Sequence, residues 1–231
     1  MNIHPAIWAA IIGVMGGIIA AMITKGKIWN IVAGIIAGII IGAVGSIAIA
    51  RIISEKEPLR TLHAPFDMAT YFYPSGWMGD GELGTNHIQL NTSFRESPRP
   101  GDTDSSCIKI SYQPGPKGWA GIYWQYPDSN WGDQPGSSIV GATKIIFWVK
   151  GEIGGEIVEF KAGGIRDSNK RYRDSFEVSK GRISLTREWA RNEISLLGQN
   201  LSSVLGAFSW IATRDANPNG LTFYIDDVRY E

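Results

Sequence analysis

Two stretches near the N-terminus, Ala6 to Thr24 and Ile28 to Ala50, contain no charged side chain. As helices rising ~1.5 Å per residue, each is long enough to cross a hydrocarbon core of ~30 Å. A cleaved signal peptide would carry a basic segment ahead of the apolar run; none exists here, and a second apolar run follows at once. The intervening "TKGK" has room only for a tight turn between antiparallel neighbours. Residues 1–52 are therefore predicted to form a transmembrane helical hairpin.

Small residues recur at every fourth position, as Ala9, Gly13, Gly17 and Ala21 in the first run and Gly34, Gly38 and Gly42 in the second. Such a glycine-zipper stripe lets helix backbones approach closely, which is how helices associate in lipid. The stripes can pack on each other within one hairpin, or join hairpins into a homo-oligomer. Neither run contains Asp, Glu, Lys or Arg, so no ion or proton pathway is expected. Lys25 and Lys27 favour a cytoplasmic turn, whereas Arg51, Lys56 and Arg60 pull the other way.

The character of the chain changes after Ala50. All 22 Asp and Glu residues lie beyond this point, balanced over the whole chain by 22 Lys and Arg. That balance gives no field with which to hold a polyanion, and nucleic acid is not an expected partner. "RIISEKEPLRTLHAP", with Pro58 and Pro65, reads as a juxtamembrane linker over residues 53–65. The one cysteine of the chain, Cys107, excludes an intramolecular disulfide and reads as a small buried apolar residue.

From residue 66 to 231 the apolar spacing has period two, in short runs separated by Gly, Pro, Asn and Asp. This is the pattern of an all-β antiparallel sandwich. Nine segments read as strands, among them "AGIYWQY", "TKIIFWVKG", "EIVEFKAG", "AFSWIATR" and "LTFYIDDVRYE"; only "NLSSVLGA" suggests a helical turn.

Successive side chains of a strand point to opposite faces. In "WAGIYWQY" one face takes Ala120, Ile122, Trp124 and Tyr126, which is a core pattern, and the other takes Trp119, Gly121, Tyr123 and Gln125. By the same rule Trp148 points away from Ile145, Phe147 and Val149, and Glu159 and Lys161 point away from Val158 and Phe160. If these strands adjoin, Trp119, Tyr123, Gln125, Trp148, Glu159 and Lys161 form one aromatic face with a polar edge. Such a surface suits a sugar, whose C–H face stacks on an indole while its hydroxyls meet amides and charges around it. The competing reading is that loops or a neighbouring strand cover these aromatics as core. Trp131 in "DSNWGDQPG" and Trp77 in "YPSGWMGDGE" lie among turn formers and are candidate loop aromatics. Arg166, in the basic run "RDSNKRYRD", could grip an anionic group, or belong to a solvated loop.

Signatures of enzymes are missing. The sequence has no phosphate-binding glycine loop, dinucleotide fingerprint, HExxH or nucleophile elbow. His4, His63 and His87 lie in three unrelated contexts. A carboxylate pair for glycoside hydrolysis is defined by separation across a cleft, and nothing in the sequence nominates one.

The succession "YPSGWMGD", "GWAGIYWQYPDSNWG", "GATKIIFWVKG", "EFKAGG" and "TFYIDDVRYE" resembles the jelly-roll carbohydrate-binding modules of the galactose-binding-like superfamily, in particular family 11 modules and the related domain of complex I intermediate-associated assembly proteins. The resemblance covers residues 66–231. It implies a two-sheet jelly roll that binds glycans and carries a structural calcium near the chain ends, with Asp226 as the best ligand and Asp227 and Asp67 as weaker ones. Calcium wants several hard oxygens, so carboxylates of this kind suit it. Such modules usually accompany a catalytic domain, whereas here a membrane hairpin stands in that place. The reading that results is a non-catalytic, membrane-anchored carbohydrate-binding module, displayed outside the cytoplasm because polysaccharides are found there. The alternative is a structural or assembly protein whose sandwich docks a protein partner while the hairpin oligomerises. A hydrolase comes third.

Overall fold

The structure is a computed structural model that describes residues 59–231, apart from Thr85, Ser97, Asp104 and Ser105. The expected transmembrane hairpin lies outside the described residues, as does the first part of the expected linker, residues 53–58. Among the described residues no helix is long and apolar enough to cross a membrane.

Short β-prone runs punctuated by Gly and Pro yield thirteen strands: β1 (Arg60–His63), β2 (Phe66–Asp67), β3 (Tyr73–Gly79), β4 (Ile88–Arg95), β5 (Ser106–Tyr112), β6 (Trp119–Gln125), β7 (Ser137–Val140), β8 (Lys144–Gly151), β9 (Ile157–Gly163), β10 (Glu177–Ser184), β11 (Ala190–Ser195), β12 (Gly206–Thr213) and β13 (Leu221–Tyr230). One sheet has the order β10-β9-β12-β6-β3, and the other β11-β8-β13-β5-β4 with β2 paired to one end of β13. All pairings within these two sheets are antiparallel. From β5 onward the chain crosses repeatedly between the sheets, which is jelly-roll connectivity.

The inward faces follow the alternation of the sequence. Ala120, Ile122 and Trp124 of β6, Phe208, Trp210 and Ala212 of β12, and Val158, Phe160 and Ala162 of β9 meet Ile145, Phe147 and Val149 of β8 and Phe223 and Ile225 of β13 in one buried cluster. Rings bridge the layers: Phe147 lies 4.9 Å from Phe160 and 5.2 Å from Phe208, and Trp210 lies 5.3 Å from Phe223. Edge-on contacts of this kind add about 0.5–1.5 kcal/mol each beyond the area they bury.

Three features depart from the sequence expectations. The folded unit begins before Phe66, because Arg60–His63 pairs in parallel with Ser137–Val140. Arg60 fixes that strand: its guanidinium carbon stands 3.3 Å from the Tyr126 ring centroid, and it donates to Ser137 Oγ and to the Tyr71 carbonyl, both at 3.0 Å. The segment "YPSGWMG" is strand β3 at the sheet edge, where Pro74 is tolerated, and not a turn. The expected helical turn in "NLSSVLGA" is absent; Val204 bridges Ser137, and β12 starts at Gly206.

Candidate functional site

The outward face of the five-stranded sheet carries the best-formed aromatic platform. Trp119 opens β6 and is 37% exposed, and it is the one exposed tryptophan among the described residues. Its position is set from below. A Cβ on Gly79, whose φ is +61°, would lie 2.2 Å from the Trp119 carbonyl and 2.9 Å from its Cδ2, so the bare Gly79 backbone braces the residue. The turn before Trp119 is held by buried Asp80, which accepts from the Gly115 N–H at 2.8 Å, the Tyr112 hydroxyl at 2.9 Å and the Lys117 N–H at 2.7 Å. Burial alone would raise the pKa of Asp80; these donors outweigh it and hold it below the usual carboxylate value. Arg214 completes the turn by donating to the Gly115 carbonyl, while its own N–H reaches the Gly118 carbonyl.

Register puts Met78, Gly121, Ile211, Glu159 and Arg182 in one row across five strands, with Tyr123, Ser209, Lys161 and Ser179 in the next and Trp119 beside Thr213. The floor next to the indole is therefore apolar, with Ile211 half-buried and Met78 and Gly121 buried beneath the surface, and its far side is bordered by a carboxylate, an amine and a guanidinium. The amine and carboxylates are held in place: Lys161 Nζ lies 2.5 Å from Glu177, and Ser179 Oγ lies 2.8 Å from Glu159. Glu159 and Lys161 thus share the face of Trp119 as expected. Met78, Ile211, Thr213 and Arg182 were not singled out, although alternation in "AFSWIATR" already turns Ile211 and Thr213 away from Phe208, Trp210 and Ala212.

The other end of this face is roofed. Tyr123 is only 6% exposed and belongs to a small cluster with Met78, Ile165 and Leu205, against which Trp131, Tyr172 and Ile211 pack. Trp131 meets Tyr123 edge-on at 6.1 Å. The Tyr123 hydroxyl donates to the Gly163 carbonyl at 2.9 Å, and burial, with Asp174 nearby, pushes its pKa up to about 12. Gln125 is fully buried, accepting from Ser75 and donating to the Asn130 carbonyl. Tyr123 and Gln125 are thus not open platform residues but supports for the loop that carries Trp131. Arg166 is exposed on the segment after β9.

Two expected aromatics lie elsewhere. Trp77 sits in β3 packed against the main core, because the strand turns Met78 outward and Trp77 inward. Trp148 faces outward as parity requires, but from the six-stranded sheet, since β8 pairs with β11 and β13 and not with β6. Parity fixes which way Trp148 points, and the condition that the strands share one sheet with β6 is met by β9 but not by β8. Trp148 lies below the segment joining β4 and β5, with the Arg99 guanidinium 6.0 Å from its ring.

Arg99 also decides the fit of the expected metal. A register shift within β13, with Asp227 at φ +51°, turns both acids of "DD" toward one guanidinium: Arg99 Nε is 3.0 Å from Asp226 and Nη2 is 3.3 Å from Asp227. Nη2 also lies 3.0 Å from Asp102, and Asp227 takes a second partner, Arg229, at 2.5 Å. Asp67, Asp226 and Asp227 do line one cleft of about 310 Å³ with Cys107 and Trp124. Asp67, however, spends an oxygen on the Ala69 N–H at 2.8 Å, capping the short turn that follows. Among the described residues no group of three or more acidic, His or Cys side chains converges closely enough to hold a metal ion. The acids present are arranged for arginine and do not fit a calcium ion. Cys107 is buried at this cleft, and burial pushes its thiol up to about 11, an unreactive state.

No family model matches the sequence, and no curated protein matches it significantly. Several solved structures are similar to it. One is a family 30 carbohydrate-binding module, 15% identical over 73% of this chain and 94% of that one, with a TM-score of 0.46. Another is the family 11 module from Clostridium thermocellum in complex with a β-1,3-1,4-mixed-linked tetrasaccharide, 14% identical over 72% and 93% of the two chains, with a TM-score of 0.47. A third is a variant of a family 29 module, 16% identical over 62% and 91%, with a TM-score of 0.34.

Proposed function

We infer that residues 59–231 form a non-catalytic carbohydrate-binding module that takes a polysaccharide on the outward face of the five-stranded sheet. The carrying observation is the exposed indole of Trp119 beside the apolar floor of Met78, Gly121 and Ile211, bordered by Glu159, Lys161 and Arg182. A pyranose ring laid on the indole buries its C–H face, while its hydroxyls reach charged donors and acceptors that other side chains already hold in place. The first fifty residues anchor the module in a membrane with the sandwich on the extracytoplasmic side, and their small-residue stripes join hairpins into oligomers.

Affinity electrophoresis through gels containing β-glucan, xylan, galactomannan or pullulan tests the reading. Retardation is expected on at least one of them, and Trp119→Ala should weaken it by about 2 kcal/mol, a roughly thirtyfold loss. Retardation that survives Trp119→Ala unchanged would move the site away from this face.

A further inference from the structure

The opposite outward face, that of the six-stranded sheet, carries an open cleft. The segment joining β4 to β5 contributes Pro98 and Pro100, the end of β8 and the residue after it contribute Lys150 and Glu152, and the turn before β11 contributes Arg187, Glu188 and Trp189; together they line a cleft of about 540 Å³. That volume falls in the range of small-ligand sites. Its apolar surfaces are flat, an indole and two pyrrolidine rings. Its charges cancel, with two cations set against two carboxylates, so it offers no net attraction to a sulfated or phosphorylated polyanion or to a polycation. Paired donors and acceptors around flat apolar walls are what a neutral sugar with vicinal hydroxyls requires.

Three of the lining side chains, Lys150, Glu152 and Trp189, are also fixed in advance. Trp189 stands edge-on to Tyr224 at 6.5 Å, and Lys150 Nζ lies 5.8 Å from the Trp189 ring, 5.0 Å from the Tyr224 ring and 3.4 Å from Glu96. The Tyr224 hydroxyl donates to Glu152. Lys150, Glu152 and Trp189 therefore have little side-chain freedom left to lose on binding.

We propose that this cleft is a second saccharide-binding site, so that one sandwich holds two separate polysaccharide segments, one on each outward face. The ligand class rests on the carbohydrate reading given above; the location of the second site does not rest on Trp119. The two outward faces point away from each other across the stacked sheets, so an oligosaccharide lying along one face cannot lie along the other.

The test is titration calorimetry of the full chain in detergent micelles with cellohexaose, xylohexaose, mannohexaose and laminarihexaose, for wild type, Trp119→Ala, Trp189→Ala and Arg187→Ala. Two equivalents of one of these hexaoses should bind wild type, and one equivalent each variant; should the thermal midpoint show Trp189→Ala to be unfolded, the exposed Arg187→Ala decides. One equivalent that Trp119→Ala abolishes and Arg187→Ala leaves unchanged overturns the second site and keeps the first. One equivalent lost in Arg187→Ala and kept in Trp119→Ala supports the cleft and overturns the Trp119 face. Absence of binding to all four overturns the second site, and with no retardation on any of the gels it overturns both.

Discussion

Asp174 shows how a single carboxylate ties the candidate site to pH. It is buried at the roofed end of the five-stranded sheet, where it accepts from the N–H groups of Leu205 at 2.5 Å, Ile165 at 2.8 Å and Gly206 at 3.2 Å. Burial is the larger influence and lifts its pKa from 3.8 to about 6 in spite of these donors. Between those values the folded chain holds a proton that the unfolded chain has released. The stability from this group is therefore full below pH about 4 and falls as pH rises toward 6, by about 3 kcal/mol at most. Denaturant unfolding at pH 4, 5, 6 and 7 should show the difference between wild type and Asp174→Asn shift in that sense; a difference that stays constant across the range would show that Asp174 does not titrate there. Nothing in "RYRDSF" distinguishes this aspartate from a solvated one, because its three partners come from segments 9 to 32 residues away. Trp119 was legible, since strand parity and a turn-rich approach both place it outward. Tyr123 obeys the same parity and is nevertheless enclosed. Alternation says which side a residue faces, and only the tertiary fold says what covers that side.

Among the elements, the loop between β6 and β7 does most to shape the face. Asn130 is its hub: its amide donates to the carbonyls of Tyr126 and Gln134, and its side-chain oxygen accepts from the N–H groups of Gly132, Asp133 and Gln134. Five bonds from one buried amide hold Trp131 over Tyr123. Replacing Asn130 by alanine leaves those backbone groups without partners and should cost about 3 kcal/mol. Tryptophan fluorescence should shift to the red as Trp131 is released; a destabilised variant with an unshifted spectrum would mean that Trp131 is held by its ring contacts alone. The inward faces of β6, β8, β9 and β12 could be read in advance, because each has three or more alternating apolar residues. β1, β3 and β7 could not: they are short, or carry Pro74 and Gly76, or pair in parallel with a segment more than seventy residues away. Sheet membership was equally hidden. β6 and β8 are neighbours of the same kind in sequence, yet they lie in different layers, and so Trp148 belongs to the face opposite Trp119.

At the scale of the whole molecule, a sandwich with weak sites gains most from being present in several copies. A face with one exposed indole gives modest affinity by itself, because association must first offset lost translational and rotational freedom. Under the proposed function, copies joined through the apolar N-terminal segment would bind a repeating polymer together, and the second and later contacts would become intramolecular, raising avidity by about 10² to 10⁴ without any new contact. On that proposal the periodic small residues would supply the means, since a stripe such as Gly13, Gly17, Gly34 and Gly38 would allow the close backbone approach that lipid-embedded helices use in place of a hydrophobic driving force. Chemical cross-linking of the full chain, reconstituted at low density in phosphatidylcholine vesicles, should give dimers or larger species. Gly13→Leu combined with Gly38→Leu should reduce them to monomer and weaken retention on a polysaccharide column, while leaving the affinity for a single hexaose unchanged. Wild-type chains that remain monomeric at every density would confine the stripes to packing within one hairpin, and any strong retention would then have to come from the two faces of a single sandwich.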